Sequence, residues 1–457
     1  MKRNEEKVDV ARQRSARDAH AVVERCLRTQ LPPAGALPAE NTDWIASGLL
    51  DSMAHSEVLI SIEKASGLPG VFDGLPGGPP RSTKAAADCL EAVHAKREQA
   101  KARAGDAAPA GAASQVAVAG WGHCVGSESV PAAAVEKEHG LAPDTILRRA
   151  GIESVARAGR EENELDLAAR AAEAALARAG AKASFVDHVI VTSETFLGLP
   201  SLGFALHRRL DLREDCGVLD VGGACAGLVN ALFVGTSILR SSRARLALAV
   251  TADVHGPALR PGQVDGRFAG LFGDGASAFV LRRMPRESNG AHYSPGEFVL
   301  GCTPSSSPSR LIAVSPDGQG GVQLEFDGDA LGRAAVRQLD SLLRQLAARS
   351  GCRLESASSF ATHQPNPRLL EMLARQSGLP MERFPVVCKR FGNLGSSTAG
   401  VALSLALEQS KPRGSAKPGP IFVAALGPGL VLGGCVLQFG GDLLPSCEEA
   451  GRDARSV

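Results

Sequence analysis

A chain of 457 residues with 50 Lys and Arg against 49 Asp and Glu has no charge imbalance that would draw it to nucleic acid or an acidic membrane surface. Its 44% hydrophobic content suits a globular protein of two or three domains, and an aromatic share of 4% argues against platforms for stacking bases. The ten cysteines form neither a CxxC pair nor a zinc pattern with histidine, so a reducing, cytoplasmic setting without metal is expected.

Residues 1–95 read as a small all-α domain. "MKRNEEKVDVARQRSARDAH" is charged throughout and lacks the apolar segment of a secretion signal. "DAHAVVERCLRTQL" places Val22, Val23, Cys26, Leu27 and Leu31 at helical spacing. "DSMAHSEVLISIEKASG" opens on Asp51 and Ser52 as cap residues and stops at Gly67. A third helix, "STKAAADCLEAVHAK", starts at Ser82. Residues 96–115 then turn to Ala, Gly and Pro without large apolar side chains, the composition of a flexible linker. No apolar run is read as long enough to span a bilayer.

From residue 116 the pattern alternates. "QVAVAG", "VDHVIVTSE", "CGVLDV", "RLALAVTADV" and "ASAFVLRR" are predicted strands, with helices at "ELDLAARAAEAALARAG" and "AGLVNALFVGTSILRSS". A similar order returns after residue 290: "GEFVLGC", a helix at 329–350, "SSFATHQ", a helix at 367–377, "FPVVCKR", a helix at 398–410, "IFVAALG" and "GGCVLQF". Apolar strands between helices predict a layered α/β fold with duplicated halves, 116–288 and 289–441, and a tail at 442–457.

Three residues stand where that fold gathers chemistry. Cys225, in "DVGGACAGLVNAL", follows a strand and two glycines and opens a helix, whose free N–H groups are expected to stabilise a thiolate and lower its pKa. Its small neighbours leave space around the sulfur, whereas Cys388 and Cys435 read as small core hydrophobes. His363, in "ATHQPNPRLL", ends a strand, with Asn366 as a helix cap and Pro367 at the first helical position. Asn393 lies in the Gly-rich loop "KRFGNLGSSTAG". Singly, His363 reads as a polar strand end and Asn393 as a turn residue. Together with Cys225 they make a nucleophile and two hydrogen-bonding partners.

In the order "RRAGIESV", "DVGGACAG", "LFGDGASAFVL", "THQPN", "GNLGSSTAG", residues 115–440 resemble the thiolase superfamily, specifically 3-oxoacyl-acyl-carrier-protein synthase III. The resemblance implies a five-layered αβαβα fold, a homodimer, and an acyltransferase that forms carbon–carbon bonds in fatty acid or polyketide synthesis. Cys225 would take an acyl group as a thioester from coenzyme A or an acyl carrier protein. A malonyl thioester would lose carbon dioxide while His363 and Asn393 donate to its oxygen, and the carbanion would attack the acyl group.

"WIASGLLDSMAHSEVLISIE" resembles an acyl carrier protein around its modification site, with 4'-phosphopantetheine added to Ser52 by a phosphopantetheinyl transferase. The other reading of Ser52 is a plain helix cap. Arg149, Arg333, Arg368 and Arg375 fall where the family binds pantetheine or docks a carrier; the other reading of each is a solvated surface charge.

Three positions depart from the family. Thr145 replaces the tryptophan that stacks on coenzyme A, which favours a carrier-bound donor. Pro428, in a loop like that of chalcone-synthase-type enzymes, replaces a glycine whose N–H serves the oxyanion, leaving more of that task to the Cys225 N–H. Glu194, in "VTSETFLGLPS", sits in a context like the general base of a related hydroxymethylglutaryl thioester synthase; the other reading is a surface or salt-bridged glutamate. A catalytic Glu194 would permit a non-decarboxylative aldol, a condensation of two acyl chains, or acyl transfer to a hydroxyl or amine. A third possibility is a non-catalytic carrier or scaffold partner in a heterodimer.

Overall fold

The computed structural model describes residues 18–29, 31, 36–50, 52–68, 71–72, 79–103, 115–262, 264–284, 292–302, 312–316, 322–326, 328–410 and 417–440. They fall into two compact units, one ending by residue 111 and the other beginning beyond it.

The first unit is helical at 18–28, Ser52–Ser66 and Thr83–Arg103. Val23, Leu27, Trp44, Leu50, Val58, Ile62 and Leu90 make its buried core. Asp43 starts the turn beside Trp44 by accepting from the N–H groups of Ile45 and Ala46. Ser82 Oγ accepts from Ala85 N–H at 3.3 Å and caps the third helix. That helix runs on to Arg103, inside the stretch predicted as linker, because "AKREQAKAR" is made of good helix formers. The remaining linker residues up to 114, Asp51 and the tail from 441 lie outside the described residues, as does the side chain of Ser52.

The second unit has thirteen strands among its described residues: β1 Val116–Val125, β2 Glu128–Pro131, β3 Ser154–Arg157, β4 His188–Thr192, β5 Gly217–Asp220, β6 Leu246–Asp253, β7 Gly275–Arg283, β8 Tyr293–Cys302, β9 Ile312–Pro316, β10 Val322–Phe326, β11 Ser359–Thr362, β12 Ile421–Gly427 and β13 Val431–Phe439. Nine of these form one sheet in the order β11-β12-β13-β8-β1-β7-β6-β4-β5. The sequence β1-β7-β6-β4 is repeated as β8-β13-β12-β11, and the halves meet at the single pair Val118–Tyr293. Each repeat contains one parallel pair, β4–β6 and β11–β12, followed by antiparallel ones.

Side-chain alternation produces the five layers. Ile190, Ala247, Ala249 and Phe279 face inward with Ile421, Val423 and Ala425 of the other half, onto helices Gly227–Ser241 and Thr398–Gln409. Val189, Val191, Leu248 and Val250 face outward onto helices Glu164–Ala179 and Leu202–Arg209. Phe360, Phe422 and Val436 do the same toward Gly328–Ser350 and Pro367–Ser377. Residues 224–241, mean hydropathy 1.3 over 18 residues, are in fact long and apolar enough for a membrane span, contrary to the sequence expectation. Here Leu228, Val229, Leu232 and Leu239 are core residues between the two half-sheets.

Helix Glu164–Ala179 shows why local sequence yields this packing. Asn163 accepts from Leu165 and Asp166 N–H at its start, and Gly180 ends it at φ 58°. Its alanine face lies so close on β1 that a Cβ on Gly122 would stand 2.4 Å from Ala171 O.

The segment "FPVVCKR" is not a strand. Residues 385–387 are irregular and Cys388–Phe391 is a short helix. Its backbone is satisfied by a side chain instead of a ladder: Gln364 Oε1 accepts from Val387 and Cys388 N–H, and Gln364 Nε2 donates to Pro385 O.

Candidate active site

The ends of β4, β5, β6 and β11 supply the site. After β5, Gly223 takes φ 132°, and a Cβ there would meet Asn230 Nδ2 at 2.3 Å. Ala224 follows at φ 45°, a left-handed strain tolerated at functional turns. Cys225 thus sits in a tight 3-10 turn, Ala224–Ala226, immediately before helix Gly227–Ser241, and is 7% exposed. Gly227 lets the helix touch β4, since a Cβ there would lie 2.2 Å from Thr192 Oγ1.

Glu194, two residues past β4, is salt-bridged to His255 and largely removed from the surface. Its Oε2 lies 3.5 Å from the Cys225 sulfur and its Oε1 4.0 Å, with the thiol as donor. Oε1 also accepts from His255 Nε2 at 3.1 Å. The other His255 nitrogen, Nδ1, faces Gly273 O at 2.8 Å and fixes the ring.

Asp253, wholly buried at the end of β6, fastens this arrangement to the second half. Its Oδ1 accepts from Glu194 N–H at 2.7 Å and Ser193 Oγ at 3.2 Å, and its Oδ2 from Ser396 N–H at 2.8 Å and Ser396 Oγ at 2.5 Å. Gly395 sits in the same place: a Cβ on it would come within 2.4 Å of Glu194 Oε1.

The loop holding Gly395 and Ser396 carries Asn393. The Asn393 backbone is clamped by "LFGDGASAFVL", donating to Leu271 O at 2.7 Å and accepting from Gly273 N–H at 2.9 Å. Its side-chain Oδ1 accepts from Gly395 N–H and Thr398 Oγ1 at 3.1 and 2.9 Å. The amide Nδ2 therefore remains as a donor with no acceptor among the described residues. His363 follows β11, anchored by its N–H on Ala424 O at 2.8 Å, and its buried Nδ1 has no hydrogen-bond partner among the described residues. It is near enough to Glu194 for each to shift the other's titration.

Burial pushes the His363 imidazole down to about 4, with Glu194 opposing, so it is neutral at physiological pH. Burial also opposes charge on His255, but its hydrogen bond to Glu194 and the Glu194, Asp253 and Asp274 charges raise it to about 9. His255 and Glu194 are thus a buried ion pair; burial disfavours the Glu194 carboxylate, but His255 holds it below the usual range. The Cys225 thiol runs against the sequence expectation. Burial first, then the Glu194 and Asp253 charges, push it well above its ordinary value, and its own backbone N–H only partly offsets them. The helix entrance is there, but two carboxylates and exclusion of water outweigh it.

Cys388 and Cys435 are buried core residues. Gly427, at the start of the "GPG" loop, abuts the Cys225 turn; a Cβ on it would lie 3.4 Å from Cys225 N. Arg149, Arg333, Arg368 and Arg375 are exposed and take no part in the buried cluster. Arg368 packs near Gly151, which links the helix Thr145–Ala150 to Pro367–Ser377. Sequence reasoning passed over Asp253, His255 and Ser396. The signal open to it was position, since "ADVHG" lies at the carboxyl end of an apolar strand.

The family model described as 3-Oxoacyl-[acyl-carrier-protein (ACP)] synthase III matches residues 219–295, and that of its C-terminal part matches residues 347–439. The β-ketoacyl-[acyl-carrier-protein] synthase III of Ruegeria pomeroyi is 32% identical over 335 residues, 72% of this chain and all of that protein. The crystal structure of 3-oxoacyl-(acyl carrier protein) synthase III from Pseudomonas aeruginosa is similar at a TM-score of 0.63 and 28% identity, covering 72% of this chain and 100% of that one. A priming β-ketosynthase of a polyketide biosynthetic pathway is similar at a TM-score of 0.62 and 25% identity, covering 72% and 98%.

Proposed function

Because this chain belongs to the 3-oxoacyl-[acyl-carrier-protein] synthase III family, we propose that Cys225 accepts an acyl group as a thioester and condenses it with a malonyl thioester. The observation that carries this reading is a buried thiol 3.5 Å from Glu194, a carboxylate close enough to the neutral His363 ring to shift its titration and tied through Asp253 to the loop of Asn393, whose amide Nδ2 has no acceptor among the described residues. As the malonyl carboxylate leaves, negative charge develops on the thioester oxygen, and donors placed there lower the barrier, each by about 3–4 kcal/mol. A neutral imidazole suits this task because it adds no cation that would stabilise the malonyl carboxylate before it leaves. Once the carbanion attacks acyl-Cys225, the Cys225 N–H is placed to receive the second oxyanion.

The first unit serves as the carrier, with phosphopantetheine on Ser52, and works with carrier-borne or coenzyme A thioesters. Exposed Arg149, Arg333, Arg368 and Arg375 are suited to receive phosphate or an acidic carrier helix. The protein acts in the cytoplasm as a homodimer. Support for the dimer comes from exposed Leu197, Leu199, Phe204, Val218 and Phe233 and from β5 as an open sheet edge. A second reading, favoured by the 3.5 Å approach of Glu194 to the sulfur, is condensation without decarboxylation or acyl transfer to a hydroxyl or amine.

Intact-protein mass spectrometry of the full chain, co-expressed with a phosphopantetheinyl transferase and then given acyl donors, tests both assignments. A pantetheine adduct lost in Ser52→Ala, an acyl adduct lost in Cys225→Ala, and carbon dioxide release from malonyl pantetheine are expected. Turnover in Cys225→Ala equal to the natural protein refutes the enzyme reading; acyl transfer without carbon dioxide release selects the second reading.

A further inference from the structure

The Cys225 sulfur has a charged neighbour that belongs to neither the histidine nor the asparagine motif. Glu194 Oε2 stands 3.5 Å from it. The carboxylate is held from both ends. Its backbone N–H is on Asp253 at 2.7 Å, and its Oε1 is on His255 Nε2 at 3.1 Å. His255 is itself fixed by Gly273 O and by the Phe272 ring, 4.8 Å between centroids. With one oxygen committed to His255, the other faces the thiol. No hydrogen bond joins His363 to the sulfur among the described residues, which leaves its ring for the substrate oxygen.

We infer that Glu194 accepts the Cys225 proton during acyl loading, and that His255 is the positioning residue that holds this carboxylate against the sulfur. The inference rests on the reading that Cys225 is acylated, and it deepens that reading by assigning the thiol proton. In loading, the S–H proton passes to Glu194 as the sulfur bonds to the carbonyl carbon of the incoming thioester. The bond from that carbon to the donor sulfur then breaks, and the departing thiolate takes the proton back from Glu194. Glu194 ends ionised beside His255, as it began. A base acting in concert with attack is needed here because burial and two carboxylates keep the resting thiol protonated. Once Cys225 is acylated no thiol proton remains, so the same carboxylate has no required part in the loss of carbon dioxide or in carbon–carbon bond formation; the carbon–sulfur bond to Cys225 then breaks, and the expelled thiolate takes one proton from solvent after the product has left the sulfur.

Glu194 is faced by Cys225, His255, His363 and Asp253, and His255 by Asp274. Losing His255 removes the cation while burial and the Asp253 charge stay, so the Glu194 pKa rises.

The test is single-turnover loading of the full chain with acetyl, butyryl and octanoyl pantetheine, read by intact mass between about pH 5 and 9. Condensation is measured separately: the enzyme is loaded to completion, freed of donor and given malonyl pantetheine. Glu194→Gln is expected to slow loading by about 100-fold or more and condensation by less than about fivefold. Glu194→Asp, which keeps the charge, recovers part of the loading rate. His255→Gln moves the acid limb of loading upward by about one pH unit or more and regains rate at high pH, where a purely structural defect lowers it at every pH. The inference is overturned if Glu194→Gln loads normally, or if it slows condensation more than loading, which would put the carboxylate to work on carbon. A natural protein whose Cys225 takes no acyl group overturns this inference together with the acylation reading, whereas normal loading in Glu194→Gln overturns this one alone.

Discussion

Replacing Gly395 by alanine adds one methyl group where three site residues converge. The position has φ +59°, a left-handed conformation that costs an L-residue about 1–2 kcal/mol. The new Cβ would also stand 2.4 Å from Glu194 Oε1, 2.8 Å from Asp253 Oδ2 and 2.9 Å from His255 Cε1, where ordinary contact begins at 3.4 Å. The Glu194 carboxylate must retreat by roughly 1 Å, a displacement that breaks a charged hydrogen bond to His255 worth about 1.5–3 kcal/mol. Gly395→Ala should therefore cost about 2.5–5 kcal/mol of stability. Gly180→Ala separates the two contributions, because Gly180 has φ +58° with nothing within 4 Å of its Cβ position. It should lose only the conformational part, about 1–2 kcal/mol, and load Cys225 normally. Denaturant unfolding and single-turnover loading of both variants make the comparison, with Gly395→Ala loading at least about tenfold more slowly. Equal destabilisation by the two substitutions would refute the packing of Glu194, Asp253 and His255 around Gly395.

Asp253→Asn converts one of two carboxylate oxygens, each accepting two hydrogen bonds, into a donor. Denaturant unfolding should show a loss of about 2–4 kcal/mol, and a change below about 1 kcal/mol would contradict the assigned network. The His255 imidazole, raised in the fold to about 9 from 6.5, contributes stability that is complete below pH 6.5 and lost as pH climbs through 9. The melting-temperature gap between the natural protein and His255→Gln should narrow over that window; a gap constant with pH would show that the imidazole is not charged in the fold.

The layered α/β architecture was legible because apolar runs of strand length alternate with helices whose caps, such as Asn163, Asn366 and Gly180, are written locally. Cys225, His363 and Asn393 stood out as candidates because each lies in a short motif that shapes its own turn. "FPVVCKR" misled for the same reason: β-branched residues in a row look like a strand, and nothing local shows that Gln364, 23 residues earlier, satisfies the Val387 N–H.

The chain by itself determined most of the elements and the family, since those depend on neighbours within a few residues. Tertiary structure alone decided the protonation of the site. Glu194 meets His255 across 61 residues of chain, and Asp253 meets Ser396 across 143. No periodicity encodes such pairings, yet the Coulomb interactions and desolvation that keep Cys225 a thiol, His255 a cation and His363 neutral depend on those distances in space and on the removal of water around them.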